Sequence, residues 1–399
     1  MPFEPTYRLR LKPKEERRLI AGHLWAFSNE VESVEGEGPP GGIAELLRHD
    51  GRRLALGFYH PHSLICFRVL SWGKSAPPAD LIARRLAAAL ELRRKLMPGA
   101  DAFRLVHAEA DLLPGLVIDR YGDVLAVQIT SAGMELLKET VYLDLEALLR
   151  PVAIVERGDT GLRALEGLPQ SSSVAFGKLP DQVEFSEGEL RFEVDVLAGQ
   201  KTGAYLDQRC NRFAFRRLTR DSEVLDLFCY QGGFALHAAA AGARAVVGVD
   251  ASAEAIEQAT RSARRAGSEA RCRFVCGDVF EALRDLRRQG RRFDAINLDP
   301  PSFTRSKKQV AAARRGYRDL HREALLLLKP GGFLATSCCS HHLEEATFLA
   351  EVERAAHALG RRLQLLRRAG AAPDHPVLPA MPETGYLKCA FYRVGPVVE

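Results

Sequence analysis

The sequence lacks the long apolar runs that a membrane span or a signal peptide requires. None of its apolar runs reaches the roughly 18 residues of a spanning helix, and the N-terminal segment is charged where a signal peptide would be apolar. We therefore expect no signal peptide, no membrane partner and a cytoplasmic location.

Cysteine is scarce, and its spacing argues against a metal site. The eight cysteines show neither paired C-x-x-C spacing nor the density of a secreted disulfide scaffold. Cys272 and Cys276 fall within one predicted strand, which argues against a metal-binding pair. We expect no bound metal, and a reducing compartment fits this cysteine usage.

The sequence also has no large excess of charge of one sign. Its 56 Lys and Arg residues stand against 51 Asp and Glu residues, a net charge of +5. This balance permits a nucleic-acid partner without requiring one. The N-terminus is locally basic, although such a run is usually a solvated face; its members are Arg8, Arg10, Lys12, Lys14, Arg17 and Arg18.

The chain length of 399 residues predicts two or three domains. Residues 1–75 contain short apolar runs broken by glycine and proline turns, which predicts a small β-rich module. Residues 76–190 predict an α+β middle domain, with helical spacing at 79–97 and 134–149, a hairpin at 116–129 and further strands at 153–156 and 183–194. Residues 191–399 form the third predicted domain.

The third domain alternates strands and helices. Such alternation predicts an α/β domain with a parallel sheet and helices on both faces. A last apolar run, 385–394, predicts a final strand added antiparallel at or near one edge. The five predicted parallel strands are Val224–Phe228, Ala245–Asp250, Arg273–Cys276, Phe293–Leu298 and Phe333–Ser337.

The turn after the first of these strands has the composition of a nucleotide-binding loop. Gly232 and Gly233 permit a tight turn and close approach of a ligand to the backbone. An ordinary strand-to-helix turn is the alternative, because the full G-x-G-x-x-G pattern is absent. Asp250 ends the second strand, where a carboxylate accepts ribose hydroxyls, and Asp278 follows the third, where it would meet an adenine amino group. Each aspartate is alternatively a helix N-cap.

Methyltransferases and dehydrogenases of this fold both have an acidic residue after the second strand. The segment after the fourth strand distinguishes the two classes. It reads Asn297-Leu298-Asp299-Pro300-Pro301-Ser302-Phe303. D/N-P-P motifs at this place are typical of methyltransferases that act on planar bases. The two prolines fix φ and hold the loop rigid. A plain proline turn is the alternative.

Two cysteines, Cys338 and Cys339, end the fifth strand. Methylation of carbon 5 of a pyrimidine normally begins with attack of a thiolate on carbon 6. Asp299, at the neighbouring strand end, is placed to protonate N3 of the ring. Both cysteines are alternatively small buried strand residues. Strand alternation directs only one of them to the cofactor side, and the residues alone do not choose between them.

These motifs resemble those of bacterial 23S ribosomal RNA cytosine-C5 methyltransferases that carry an N-terminal PUA domain. The similarity covers nearly the whole chain. The matching stretches are Gln200–Gly203, Tyr205–Arg209, Leu225–Phe234, Leu298–Phe303, Thr336–Ser340 and Tyr386–Lys388 in the catalytic domain, with Glu109–Asp111, Pro114–Leu116 and Asp119–Tyr121 in the middle domain.

The resemblance implies a class I Rossmann-like methyltransferase domain, S-adenosylmethionine as cofactor and ribosomal RNA, of the 23S type, as partner. It implies that Cys339 is the nucleophile and that Asp299 contacts the target base. Arg209 suits the amino-acid carboxylate of the cofactor, and a surface salt bridge is its alternative. The residues implied to surround the cofactor are Tyr205, Gln208, Arg209, Asp226, Phe228, Gly232, Asp250, Asp278 and Asp299.

Two positions depart from the family pattern. Ala204 stands where a bulky aromatic residue is usual, and His341 and His342 follow the cysteines where smaller residues are common. The histidines are interpreted as surface residues, with a role as a base as the alternative. Basic residues after the proline motif would guide RNA or solvate a helix; they are Arg305, Lys307, Lys308, Arg314 and Arg315.

The sequence therefore predicts a methyltransferase that forms 5-methylcytosine in ribosomal RNA. One alternative is methylation of an amino group on a base or protein, in which Cys339 would be structural. Another is an RNA-binding protein without catalysis that keeps a nucleoside pocket. A homodimer is a further expectation.

Overall fold

The computed structural model describes residues 3–73, 75–304 and 306–397. The chain forms two compact units, each built from separate segments. The first comprises Met1–Phe185, Val194–Leu206 and Pro373–Thr384, and the second comprises Ser186–Glu193, Asp207–Ala372 and Gly385–Glu399. The division into three domains near residues 75 and 190 stays a prediction.

The N-terminal part of the first unit is rich in strands, as predicted. Its sheet has the order β2-β6-β5-β4-β1-β3, in which β1 and β4 are parallel and the other neighbours are antiparallel. The elements are β1 (Tyr7–Leu11), α1 (Glu16–Ile20), β2 (Trp25–Ala26), β3 (Val31–Gly36), β4 (Ile43–Leu47), β5 (Arg53–Tyr59) and β6 (Phe67–Trp72).

The rest of the first unit contains a second sheet of order β11-β10-β9-β8-β7. The predicted hairpin is confirmed as β8 and β9, whereas the helix predicted over 134–149 is interrupted at Leu137. The elements are α2 (Leu81–Leu96), β7 (Ala102–His107), β8 (Leu116–Tyr121), β9 (Val124–Ile129), α3 (Ala132–Leu136), α4 (Lys138–Leu149), β10 (Ala153–Arg157), α5 (Gly161–Leu165) and β11 (Ser172–Gly177).

The two sheets of the first unit share a hydrophobic core. Phe58 and Leu70 from the N-terminal sheet belong to the same buried cluster as Phe103, Ile118 and Val127 from the second sheet. Removal of the first 75 residues would therefore expose apolar surface of the middle segment to water. The N-terminal module and the middle segment depend on each other for burial.

The second unit contains a seven-stranded sheet of order β16-β15-β14-β17-β18-β20-β19. A two-stranded sheet of β12 and β13 precedes it in the chain. The elements are β12 (Val183–Glu187), β13 (Leu190–Val194), α6 (Arg209–Arg216), β14 (Glu223–Leu227), α7 (Gly233–Ala240), β15 (Ala245–Asp250), α8 (Ala253–Arg265), β16 (Cys272–Cys276), α9 (Val279–Arg288), β17 (Phe293–Leu298), α10 (Val310–Leu327), β18 (Leu328–Cys338), α11 (Glu345–His357), β19 (Arg361–Ala369) and β20 (Lys388–Val397).

The predicted parallel sheet with helices on both faces is confirmed. Strands β14 to β18 are mutually parallel, and β20 is antiparallel to β18. Side chains alternate between two cores: Val224 packs with α6 and α7, whereas Leu225 packs with α9, α10 and α11. The carboxyl ends of the parallel strands meet at one edge, which is where ligands of such sheets bind.

The edge strand β19 was not predicted from the sequence. Its segment reads Arg-Arg-Leu-Gln-Leu-Leu-Arg-Arg-Ala, and most of its side chains are exposed. No clear alternation of apolar and polar residues marks such an edge strand. Because β19 pairs with β20, the final strand lies second from the edge of the sheet.

Candidate active site

The loop that follows β14 has an unusual backbone. Phe228 and Tyr230 have φ angles of 61° and 47°, a left-handed conformation that costs residues with a Cβ roughly 1–2 kcal/mol. Gly232 has a φ of 77°, and a Cβ there would lie 2.9 Å from the ring of Phe274. Residues held in this conformation cluster at ligand-binding sites. The loop therefore has the character of a ligand cradle.

Asp226 supports this loop from within the core. Its side chain is fully buried. One carboxylate oxygen accepts a hydrogen bond from the backbone N–H of Ala235 at 2.9 Å, and the other accepts from Nδ2 of Asn297 at 2.8 Å. Burial raises the pKa of Asp226 to about 7, because the charged form has lost its water. Asn297 was overlooked as a partner of this loop, although it opens the proline motif.

Asp250 ends β15 and Asp278 follows β16, as predicted from the sequence. The Asp250 carboxylate accepts hydrogen bonds from the backbone N–H groups of Tyr230 and Ser252, both at 2.9 Å. Each oxygen has two lone pairs, so Asp250 retains acceptor capacity for hydroxyl groups. Asp278 is the N-cap of α9 and accepts from the N–H of Glu281 at 3.0 Å. Asp278 therefore forms the helix N-cap that was the alternative interpretation of this residue.

Gln208 and Arg209 lie at the start of α6. The Gln208 amide donates to Oγ of Ser337 at 3.0 Å and accepts from Nδ2 of Asn211 at 2.6 Å. Arg209 is 6% exposed, and its Nε lies 3.5 Å from Oε1 of Glu187. The salt bridge considered for Arg209 is therefore present, with Glu187, but it is buried rather than at the surface.

The Arg209 guanidinium has unused hydrogen-bonding capacity. Within the described part of the chain, none of its three nitrogens has a hydrogen-bond acceptor. Buried donors nearly always have a partner, and a guanidinium binds a carboxylate through two parallel hydrogen bonds. The arrangement fits the carboxylate of a bound amino-acid group.

Tyr205 belongs to the first unit, whereas the other predicted site residues belong to the second. Its hydroxyl donates to Oε1 of Gln200 at 2.5 Å, and the ammonium group of Lys201 lies 4.4 Å from the centre of its ring. These contacts hold Tyr205 within its own segment. Its proposed contact with the cofactor stays a prediction.

The predicted acid and thiol follow neighbouring parallel strands. In the pairing of β17 with β18, Leu298 lies opposite Thr336. Asp299 directly follows β17 and Cys339 directly follows β18, so both are at the carboxyl edge of the sheet. Cys338 is fully buried, whereas Cys339 is half-buried. Of the two thiols, Cys339 is the more accessible to a substrate.

Behind the strand, α10 supplies two buried polar residues that were not predicted from the sequence. His321 lies next to Thr336, with 2.8 Å between Nε2 and the hydroxyl oxygen, and its Nδ1 lies 2.5 Å from the carbonyl oxygen of Tyr317. The phenol of Tyr317 interacts with the thiol of Cys338, whose pKa is raised by burial. The only sequence signal was their spacing of one helical turn.

The two histidines after the cysteines and the basic residues after the proline motif have different surroundings. His341 and His342 are exposed, and the ring of His341 lies 5.6 Å from that of Tyr386. Arg314 on α10 pairs with Glu351 on α11 at 2.7 Å, so it ties two helices together. Arg305 and the side chain of Lys307 lie outside the described residues.

Comparison with known protein families identifies the second unit. The family described as S-adenosylmethionine-dependent methyltransferase matches residues 169–393, more than half of the chain. The chain belongs to this methyltransferase family. The predicted cofactor is thereby confirmed, and the dehydrogenase alternative is excluded. The methyltransferase also matches the PUA-like domain family over residues 9–72, which confirms the predicted N-terminal module.

The methyltransferase resembles several curated proteins over nearly its full length. A protein of Shewanella denitrificans named ribosomal RNA large subunit methyltransferase I is 40% identical over 393 residues, which cover 97% of this chain and 99% of the relative. A protein of the same name in Aeromonas hydrophila is 41% identical over 379 residues, with coverage of 94% and 96%.

Solved structures share the fold of the methyltransferase. A putative methyltransferase crystallised in complex with SAH has a TM-score of 0.85 at 20% identity, with coverage of 97% of this chain and 99% of that one. A putative methyltransferase of Streptococcus mutans has a TM-score of 0.83, also at 20% identity and with the same coverage. At this identity the likeness concerns the fold alone, and it confirms the predicted class. Among residues 3–73, 75–304 and 306–397, no helix combines the length and apolarity needed to cross a membrane.

Proposed function

We propose that this methyltransferase acts on RNA of the large ribosomal subunit and forms 5-methylcytosine in 23S ribosomal RNA through a covalent adduct of Cys339. Relatives about 40% identical over nearly the whole chain carry a name that specifies large-subunit ribosomal RNA. One observation supports the chemistry above all others. A half-buried thiol, that of Cys339, and a carboxyl group, that of Asp299, follow adjacent parallel strands at the ligand-binding edge.

The adduct solves the problem that carbon 5 of cytosine is a poor nucleophile. The Cys339 thiolate forms a bond to carbon 6, and the electron pair of the double bond is displaced into the ring while Asp299 provides a proton at N3. Carbon 5 then has the electron density of an enamine and would accept the methyl group of bound S-adenosylmethionine, with S-adenosylhomocysteine as the leaving group. The N3 proton would return to Asp299 when the ring is restored. Loss of the carbon-5 proton to a base restores the double bond and expels the thiolate.

The cofactor supplies an electrophilic methyl group, and residues of the second unit fit its remaining parts. We assign the buried guanidinium of Arg209 to the amino-acid carboxylate and Asp250 to the ribose hydroxyls. Asp278 is assigned to the adenine amino group. The other residues implied to surround the cofactor are Tyr205, Gln208, Asp226, Phe228, Gly232 and Asp299.

The contacts of Asp226 and Gln208 support a different role for these two residues. Both carboxylate oxygens of Asp226 accept hydrogen bonds from protein groups, and Gln208 is bonded to Ser337 and Asn211. Both side chains are also fully buried, whereas Asp250 is partly exposed, so they are suited to hold the site in shape rather than to bind the ligand directly. We assign Asp226 to the shape of the loop and Gln208 to the position of α6 against β18.

Trapping with 5-fluorocytosine tests this proposal. Fluorine at carbon 5 cannot leave as a proton does, so ribosomal RNA that carries 5-fluorocytosine should stay bound to the enzyme after methyl transfer. Wild type and Cys338→Ala should form a complex that survives denaturation when S-adenosylmethionine is present, and Cys339→Ala should not. Nucleoside mass spectrometry of unmodified ribosomal RNA identifies the methylated atom.

The two adjacent cysteines provide matched controls. A complex that forms with Cys339→Ala and is absent with Cys338→Ala would move the nucleophile to Cys338. Methyl transfer that persists in the double variant would contradict thiol catalysis and favour methylation of an amino group. Cofactor and RNA binding without any methyl transfer would favour the RNA-binding alternative.

A further inference from the structure

Lys388 lies beside the thiol centre. It is the first residue of β20, and in the antiparallel pairing of β18 with β20 it is opposite Cys338. Its amine donates a hydrogen bond of 2.6 Å to the backbone carbonyl of Ser340. This carbonyl belongs to the turn that carries Cys339, so Lys388 fixes the backbone on the far side of the thiol.

The ammonium group retains donors beyond this contact. An ammonium has three N–H donors, and the Ser340 carbonyl is its one hydrogen-bond acceptor among the residues that the structure describes. Lys388 is partly buried, and burial lowers the pKa of its amine. A buried charge is costly unless a group of opposite charge compensates it. A neutral donor would hold the carbonyl at lower cost, so the charge itself requires an explanation.

The charged groups around Lys388 include both thiols at the end of β18. Its charge interacts with Cys338 and Cys339, and beyond them with Glu345 on α11. Asp299 acts on Cys338 with the opposite sign to Lys388, since its carboxylate opposes ionisation of the thiol. Tyr317, His341 and Cys389 are further titratable groups that interact with members of this cluster. A thiolate beside Asp299 therefore needs a nearby cation.

We propose that Lys388 is the positioning residue of the thiol centre, where it holds the turn after β18 through Ser340 and stabilises the thiolate of Cys339. The inference rests on the proposed function, in which this thiolate attacks carbon 6 of cytosine. Ionisation transfers the Cys339 proton to solvent, while Lys388 remains protonated throughout. Thiolates stabilised by a neighbouring cation react at lower pH than an isolated cysteine.

Alkylation of Cys339 tests this role without RNA. Iodoacetamide reacts with the thiolate, so its rate against pH reports the ionisation of Cys339; a Cys338→Ala background and peptide mass spectrometry assign the signal to one residue. Lys388→Gln keeps a donor for the Ser340 carbonyl and removes the charge. We expect its profile to move up by about one pH unit, which makes alkylation near pH 7 about tenfold slower than in the parent. Lys388→Arg should restore the parental profile.

The pair of variants separates charge from structure. A purely structural role would be rescued by glutamine, and a Lys388→Gln profile equal to that of the parent would overturn the proposal. If the glutamine variant does not fold, Lys388→Asn provides the same comparison, because it also keeps an amide donor and removes the charge; an unchanged rate at high pH is the sign of an intact site. The fluorocytosine trap fails or succeeds independently. A shifted alkylation profile without a trapped complex would leave the role of Lys388 standing and contradict the proposed cytosine chemistry.

Discussion

At the scale of single residues, the site depends on side chains that are available to a ligand and that also form a hydrogen bond within the protein. Asp250 illustrates this, because its carboxylate ends β15 and also accepts the N–H of Tyr230 from the glycine loop. The same side chain thus connects the second strand to the cradle after the first. A substitution at Asp250 acts on the ligand and on the loop together.

We predict that Asp250→Ala weakens S-adenosylmethionine binding by about 1.5–3 kcal/mol, the range for hydrogen bonds to a charged group. Calorimetric titration of the folded variant measures the loss. Asp285→Ala on the exposed side of α9, where the carboxylate pairs with Arg288, is the matched control and should bind as wild type does. Unchanged affinity in Asp250→Ala would remove Asp250 from the site.

Acid stability tests the buried histidine behind the thiol strand. Burial lowers the pKa of His321 from 6.5 to about 4, because the charged ring would lose its water, and the hydrogen bond to the Tyr317 carbonyl opposes this shift only in part. The unfolded chain then binds more protons than the folded one between these two values. Stability contributed by His321 is therefore present above about pH 6.5 and lost as the pH falls toward about 4.

We predict that His321→Gln unfolds with a shallower dependence on pH across this window. Between pH 6.5 and about 4, the contribution of His321 to the free energy of unfolding should change by about 3 kcal/mol. Chemical denaturation at a series of pH values measures it. His342→Gln, a change at an exposed histidine, is the control and should retain the wild-type slope. Parallel curves for wild type and His321→Gln would contradict the assignment.

At the scale of elements, the helices of one face are joined by a buried charge. Glu351 on α11 is fully buried and pairs with Arg314 and Arg318 on α10 and with Arg354 on its own helix. The arginines reach solvent, whereas the carboxylate does not. These two helices cover the strands that carry Asp299 and Cys339, so the ion pairs support the floor of the site.

We predict that Glu351→Ala lowers the free energy of unfolding by about 1–2 kcal/mol, a moderate value because its partners are partly solvated. Urea denaturation provides the measurement. The exposed neighbour Glu353→Ala should change stability by less than about 0.5 kcal/mol. If both substitutions lowered the free energy of unfolding equally, the ion pairs between α10 and α11 would make no specific contribution to stability.

At the scale of the whole molecule, the PUA-like module carries exposed basic side chains, and we propose that they contact RNA. Lys12 and Lys14 are exposed at the end of β1. Deletion of the module is a poor test, because its sheet shares a core with the middle segment. Substitution of surface lysines leaves that core intact and removes charge available to phosphate groups. The change at Lys12 also removes its hydrogen bond to the Asn29 carbonyl at 2.7 Å.

We predict that Lys12→Gln with Lys14→Gln weakens binding of ribosomal RNA while cofactor affinity stays unchanged. For each lysine that neutralises a phosphate in the wild type, the slope of log affinity against log salt should become shallower by about one. Filter binding over a range of salt concentrations measures both effects. Lys95→Gln, on the exposed side of α2, is the control. An unchanged slope in the double variant would exclude this surface from the RNA interface.

Much of the fold and the site followed from local sequence patterns. The parallel strands were predictable because each buried run is short and is followed by helical spacing, and their ends carry Asp250, Asp278, Asp299 and Cys339. Parallel strands bring their carboxyl ends to one edge, so residues far apart in sequence were predicted to meet. The strand β19 was not predictable, because its side chains are largely exposed and follow no period.

The sequence by itself determined the order of elements, the family and the set of residues at the strand ends, since each depends on nearby residues in the chain. Only the tertiary structure decided which thiol is accessible, that the donors of Arg209 have no acceptor among the described residues, and that Lys388 lies across from Cys338. The hydrogen bond from Lys388 to Ser340 joins residues 48 positions apart. Such interactions arise from the pairing of β18 with β20, and no local pattern of residue types encodes which strands become neighbours.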